Sequence, residues 1–244
     1  MRLEPGAFPA GGAQLTPIIE RPSPNFGGRR DNAQPSLIVL HYTAMASARD
    51  ACEWLCNPAS EVSAHYLIAE NGDVLRLVAE ENRAWHAGAG RWGAISDVNS
   101  HSIGIELDND GSSPFSASLM DALEALLPDI MGRWGIGPQG VIGHSDMAPH
   151  RKIDPGPRFD WRRLARQGLA IWPETGKPQA VDEKRFIADL ASFGMTTITD
   201  IEKLLSAFRS RFRPGARGPL EPADMALAAE LAAHFSVDAS RTKA

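Results

Sequence analysis

Two short apolar runs, each ending on a histidine, constrain this chain more than any other feature. Leu37-Ile38-Val39-Leu40 leads into His41, and Val141-Ile142-Gly143 leads into His144. Short, β-branched apolar segments of this kind suit buried strands, and the polar ring that follows marks where each strand leaves the core. Both rings are therefore expected to be presented at the mouth of a sheet rather than buried. A loop rich in turn residues follows His144 and carries Lys152 and Asp154, with Pro155-Gly156 fixing a bend after the carboxylate. Taken alone, a His–Asp pair in a loop is served as well by a local hydrogen bond. Two strands ending alike favour a different reading, because two neutral imidazoles and a carboxylate are a catalytic zinc donor set with a fourth position left for water. His41, His144 and Asp154 fit that count. A third strand-like run, Ser102 to Leu107, sets Glu106 among apolar residues, where burial raises a carboxyl pKa toward values useful for proton transfer. Glu106 is the expected base.

The segments LHYTAM, SAHYLIAENGDV, AWHAG, SIGIELDN and GHSDMAPHRKIDPGPRFDW occur in this order and span roughly residues 20 to 172. Together they resemble the zinc-dependent N-acetylmuramoyl-L-alanine amidases of the AmpD and AmiD type, relatives of phage T7 lysozyme and the peptidoglycan recognition proteins. The resemblance implies zinc on His41, His144 and Asp154, with Glu106 and Lys152 as catalytic residues. It implies hydrolysis of the amide between N-acetylmuramic acid, or its 1,6-anhydro form, and L-alanine, in peptidoglycan or in muropeptides. A binding protein that recognises peptidoglycan without cutting it, or another zinc amide hydrolase, is the alternative. His150 stands where the family pattern usually has glycine, and a plain surface role is expected for it.

Around these motifs the chain reads as an α/β protein, with a mixed central sheet flanked by helices and a small C-terminal three-helix domain. Residues 1–35, rich in proline and glycine, read as an arm; 36–172 as the catalytic domain; 173–181 as a linker; 182–236 as three amphipathic helices; and 237–244 as a tail. The phrases Asp189 to Gly194 and Leu205 to Pro214 resemble the three-helix peptidoglycan-binding module, with a purely stabilising cap as its rival. Ser47 to Cys56 suits a helix, and Glu70-Asn71-Gly72-Asp73 a hairpin turn between strands over 65–69 and 74–78. Ser116 to Trp134 has helical spacing interrupted by Pro128.

Substrate contacts are expected from Trp85 and His86 and from Arg91 and Asn99 on a glycine-rich loop that also holds Trp92, where rings stack on sugar and a guanidinium grips a carboxylate. His65 is expected beside the metal ligands or along the cleft. Arg29 reads as a substrate contact or as part of a solvated basic turn.

A net charge of −5 leaves no electrostatic footprint for nucleic acid. No apolar run approaches the roughly 20 residues needed to span a bilayer, and the first residues lack the apolar core of a signal peptide. A cytoplasmic location is expected on that ground, with the periplasm or cell envelope as the alternative. Cys52 and Cys56, four apart on one helix, are expected to be reduced.

Overall fold

A computed structural model describes residues 17–197 and 199–237. Of the expected arm over 1–35, residues 1–16 lie outside the described residues, as do 238–244 of the expected tail over 237–244, while the rest of the arm supplies two strands of the fold. A six-stranded mixed sheet organises the chain. Its strands are β1 (Ile19–Glu20), β3 (Leu37–Tyr42), β4 (Tyr66–Ile68), β5 (Val74–Arg76), β7 (Ser102–Leu107) and β8 (Val141–Gly143), in the order β1-β5-β4-β7-β3-β8. Strands β4, β7, β3 and β8 run parallel to one another, and β5 pairs antiparallel with β4 across the expected hairpin, whose Gly72 has φ +91. A separate two-stranded ribbon joins β2 (Phe26–Gly28) to β6 (Asn82–Ala84).

Alternation along the central strands divides the sheet into two faces. Ile38, Leu40, Ile103, Ile105, Leu107 and Val141 point to one face and pack against α2 (Ala117–Trp134) and α4 (Trp161–Arg166). Pro128 does not interrupt α2. It lies on the exposed side of the helix, where the missing N–H costs least, while Leu126, Leu127, Ile130 and Met131 anchor both flanks in the core. Leu37, Val39 and Ile142 point to the other face. There they share a core with α5 (Glu183–Phe193), α6 (Ile201–Phe212) and α7 (Pro222–His234), the three helices expected from the sequence. Nearer the hairpin, α1 (Ala48–Leu55) covers Leu67 and Leu77, with Ser47 as N-cap. Both Cys52 and Cys56 are free. Among the described residues no helix is long and apolar enough to cross a membrane.

One contact ties the helical unit to the strand ends. The Arg211 guanidinium of α6, 2% exposed in its side chain, forms an ion pair with the equally buried Asp146. It also donates to the Val141 carbonyl at 3.2 Å and lies 4.0 Å over the Trp161 ring. Asp146 in turn accepts the Gly143 N–H at 2.8 Å, at the start of the one-turn helix α3 (His144–Met147). Arg211→Met should therefore cost about 3–5 kcal/mol in urea denaturation, since it strands a buried carboxylate. Adding Asp146→Asn should recover part of that loss; no recovery would show that the pair is not what holds the two units together.

Candidate active site

His41 and Glu106 are register partners at the carboxyl ends of β3 and β7 and lie on one face of the sheet. β8 ends one residue before His144, so three parallel strands deliver His41, Glu106 and His144 to one edge. Gly143 makes the turn possible, since a Cβ there would meet Pro155 at 2.8 Å and Trp161 at 3.3 Å. The loop returns when Ser145 N–H donates to the Asp154 carbonyl at 2.9 Å. Asp154 Oδ2 then lies 2.9 Å from His41 Nδ1 and 3.0 Å from His144 Nδ1, which are 2.9 Å from each other.

Contrary to the expectation of presented rings, His41 and His144 are each 2% exposed and Asp154 is 7% exposed. The Ala84–Ala87 segment and the loop after His144 close over them, leaving a cleft of about 450 Å³ lined also by Trp54, Trp85, His86, Glu106 and Lys152. Burial holds the His41 imidazole down at about 4, aided by repulsion from His144 and opposed by Asp154. Burial pushes the Asp154 carboxyl up, whereas any proton carried by His144 or His41 on the nitrogen facing it holds the group well below the usual range.

The fit to a divalent ion can be tested on the hydrogen atoms. His144 Nε2 lies 2.9 Å from the Ala87 carbonyl oxygen, a pure acceptor, so Nε2 carries the proton and donates it. His144 Nδ1 is then a bare lone pair turned toward a carboxylate oxygen. Such a contact is repulsive unless a second proton on the ring or a metal cation lies between the two atoms, and a tetrahedral ion about 2.0–2.1 Å from N and O ligands requires donors of this kind close together. The three residues fit a metal.

Glu106 lies beside them without a partner for Oε2. Burial, and then the Asp154 charge, raise its carboxyl to about 8, with Lys152 opposing.

The residues expected to touch substrate divide. Trp85 and His86 line the cleft. His65 and Asn99 do not. The His65 ring is fully buried, taking the Gly104 N–H on Nδ1 at 2.9 Å, and Asn99 Oδ1 accepts the His86 and Ala87 N–H groups. Arg91 is exposed and away from the cleft lining. Trp92 is 3% exposed and packs on Phe193 at 5.1 Å, so it serves the core instead of a sugar. His150 is exposed. Arg29, read as a solvated turn or a substrate contact, spends its guanidinium on the carbonyls of Glu80, Asn99, Ser100 and Ser102. Trp54, 51% exposed on the lip of the cleft, went unnoticed because one aromatic on an amphipathic helix carries no signal of its own.

Residues 31–157 match the family model described as N-acetylmuramoyl-L-alanine amidase. The N-acetylmuramoyl-L-alanine amidase AmiD of Escherichia coli K12 is 33% identical over 84% of this chain and 86% of its own length. The 1,6-anhydro-N-acetylmuramyl-L-alanine amidase AmpD of Enterobacter cloacae is 32% identical over 59% of this chain and 86% of its own length. A solved structure of E. coli AmiD in complex with the substrate anhydro-N-acetylmuramic acid-L-Ala-D-γ-Glu-L-Lys superposes with a TM-score of 0.76 at 32% identity, covering 84% of this chain and 92% of that one.

Because Glu106 holds its proton up to about pH 8 in the fold and to 4.5 when unfolded, the unfolded chain binds fewer protons between those values. Stability of the metal-free protein should thus fall as pH rises through that window. Glu106→Gln should remove this loss, making the chelator-treated variant more stable than wild type at pH 8 by a few kcal/mol, at roughly 1.4 kcal/mol per pKa unit. The gap should close toward pH 4.5, and an equal gap at pH 5 and pH 8 in urea titrations would contradict a buried acid at this position.

Proposed function

We propose, because the chain belongs to the N-acetylmuramoyl-L-alanine amidase family, that it hydrolyses the lactyl amide between N-acetylmuramic or 1,6-anhydro-N-acetylmuramic acid and L-alanine, in peptidoglycan or muropeptides. The observation that carries the reading is the convergence of three buried donor atoms within 3.0 Å of one another beside a glutamate with an unpartnered oxygen. We assign zinc to His41, His144 and Asp154, a set whose atoms suit an ion of that size and preference. When bound, the ion supplies Lewis acidity and brings water to a pKa near about 7.

The chain's own residues do the rest. Glu106 takes the proton of the attacking water and later returns it to the departing amine nitrogen of L-alanine, so one carboxyl serves as base and then acid. Its dry surroundings support this role, since they hold the proton affinity near that of the groups it exchanges with. Lys152 lines the same cleft and is assigned to the oxygen that gains charge in the transition state, where a fixed cation acts most strongly. Trp85 on the cleft wall is assigned to the sugar.

The three-helix unit is assigned to peptidoglycan. Supporting this is a groove of about 1000 Å³ between α6, the turn after it and the loop after His144, lined by Lys203 and Arg217 and meeting the cleft at Arg151, Lys152 and Ile153. We assign the reaction to the cytoplasm, with the periplasm or cell envelope as the alternative. Recovery of the protein wholly from the periplasm in cell fractionation would overturn that assignment.

Release of free L-alanine-led peptide from an anhydro-muropeptide tests the central reading. Release should stop on treatment with a chelator and return with zinc; release indifferent to chelator, or none from the zinc-loaded protein, would overturn it. Glu106→Ala should retain zinc while losing about 10²–10⁴-fold in kcat, whereas His144→Ala should lose both, and equal zinc loss in the two variants would contradict the division of roles.

A further inference from the structure

His86 follows Trp85 on the cleft wall, and both of its ring nitrogens are already engaged. Its Nδ1 lies 3.0 Å from His41 Nε2, and its Nε2 lies 3.2 Å from Ser102 Oγ. Ser102 decides which atom carries the proton. Its hydroxyl donates to the Val98 carbonyl at 2.6 Å, which uses its only hydrogen and leaves Oγ to accept. The His86 Nε2 proton therefore points to Ser102. A neutral imidazole carries one proton, so His86 Nδ1 is an acceptor and the proton between the two rings belongs to His41 Nε2. His41 Nδ1, the atom turned toward Asp154, is left bare.

We propose that His86 is a positioning residue that sets the tautomer and the orientation of the metal ligand His41 through the chain Val98 carbonyl, Ser102 hydroxyl, His86 ring, His41 ring. The proposal rests on the reading of His41, His144 and Asp154 as a metal site. It also gives His86 a task other than hydrogen bonding to substrate, because neither nitrogen is left over. Three features hold the ring in place. Asn99 Oδ1 accepts the His86 backbone N–H at 3.1 Å. The ring packs edge to face with His41, centroids 5.1 Å apart. Gly104 of β7 lies against it, and a Cβ there would clash with the ring. The site face of β7 thus offers an acceptor at Ser102, room at Gly104 and an acid at Glu106. His144 needs no such ring, since its own Nε2 proton goes to a backbone carbonyl.

Long-range nitrogen–proton correlation spectra of the histidine rings test the chain directly in the intact protein. Wild type, with and without zinc, should show His86 protonated on Nε2, and zinc-loaded His41 should be protonated on Nε2 as well; His86 protonated on Nδ1 would overturn the proposal whatever the variants do. Zinc affinity, read by competition with a chromophoric chelator, should fall about 10–100-fold in His86→Phe, the range for loss of a group that orients a metal ligand. His86→Asn, whose amide oxygen occupies the position of Nδ1, should restore most of the affinity. Equal affinities in wild type and His86→Phe, or equal losses in the Phe and Asn variants, would overturn it. Should His86→Phe fail to fold, Ser102→Ala takes its place and should weaken zinc binding without touching either ring, and unchanged affinity there would overturn the proposal. If wild type itself binds no zinc, the metal reading fails, while the nitrogen spectra still decide the proton chain on their own.

Discussion

A carboxylate oxygen and the ring nitrogens of two imidazoles are held within 3.0 Å of one another where water is nearly excluded. With the His144 ring neutral and its proton on Nε2, the Nδ1 contact with Asp154 sets lone pair against lone pair, and in low dielectric that repulsion is strong. The fold has to bring these three groups together from segments far apart in the chain. Much of the surrounding structure can be understood as restraint. Parallel pairing fixes His41 opposite Glu106, the Ser145 to Asp154 hydrogen bond shuts the loop, and Asp146 ties the turn carrying His144 to Arg211. An ion held by these three residues would couple its binding to folding, because the donors come together only in the folded chain.

Two glutamates show how burial separates structure from chemistry. Glu80 is 6% exposed, yet its oxygens accept from Tyr66, Arg133 and Trp134, and these hydrogen bonds overcome desolvation to keep the group below the usual carboxylate range. Glu106 is half-buried, but one of its oxygens is enclosed without a partner and Asp154, another carboxylate, lies close by, so its pKa moves the other way. A fully satisfied acid is inert at neutral pH. An unsatisfied one beside a metal site is poised to exchange protons, and a nearby cation would draw its pKa back toward neutrality.

The central part of this arrangement was legible because strand ends leave a local signature. Leu37 to His41, Ser102 to Leu107 and Val141 to His144 each announce a buried run with a polar terminus, and the period of two in β7 puts Glu106 on the face opposite Ile103 and Ile105. The helices and the hairpin were legible from caps, spacing and the Asn-Gly turn. What sequence could not convey was where loop residues point. Asn99, Arg91 and Trp92 are chemically suited to a muropeptide, yet tertiary packing took two of them inward: Trp92 is buried on Phe193, and Asn99 holds the backbone of His86 and Ala87. Arg29 turns inward in the same way. A guanidinium reads as a surface charge until several carbonyls from distant segments converge on it.

The C-terminal helices bear on the site in a way that a linker composition conceals. Residues 173–181 separate them from the sheet along the chain, but Phe186, Leu190, Phe193 and Phe208 share one core with Val39 and Ile142, the residues that precede His41 and His144 by two. Thr197 donates to the Met147 carbonyl at 2.6 Å, and Gly93 N–H to the Gly194 carbonyl at 2.8 Å, so the loops on both sides of the ligands are pinned to the same unit. A module held only by its linker would move independently of the cleft. Here the helices pack against the same sheet face from which His41 and Glu106 project, on Leu37 and Val39 of the strand that carries His41, so any surface these helices offer to a polymer stands at a fixed distance and orientation from the site. Fixed geometry of this kind favours strands that can reach both places at once and gives no advantage to those that cannot.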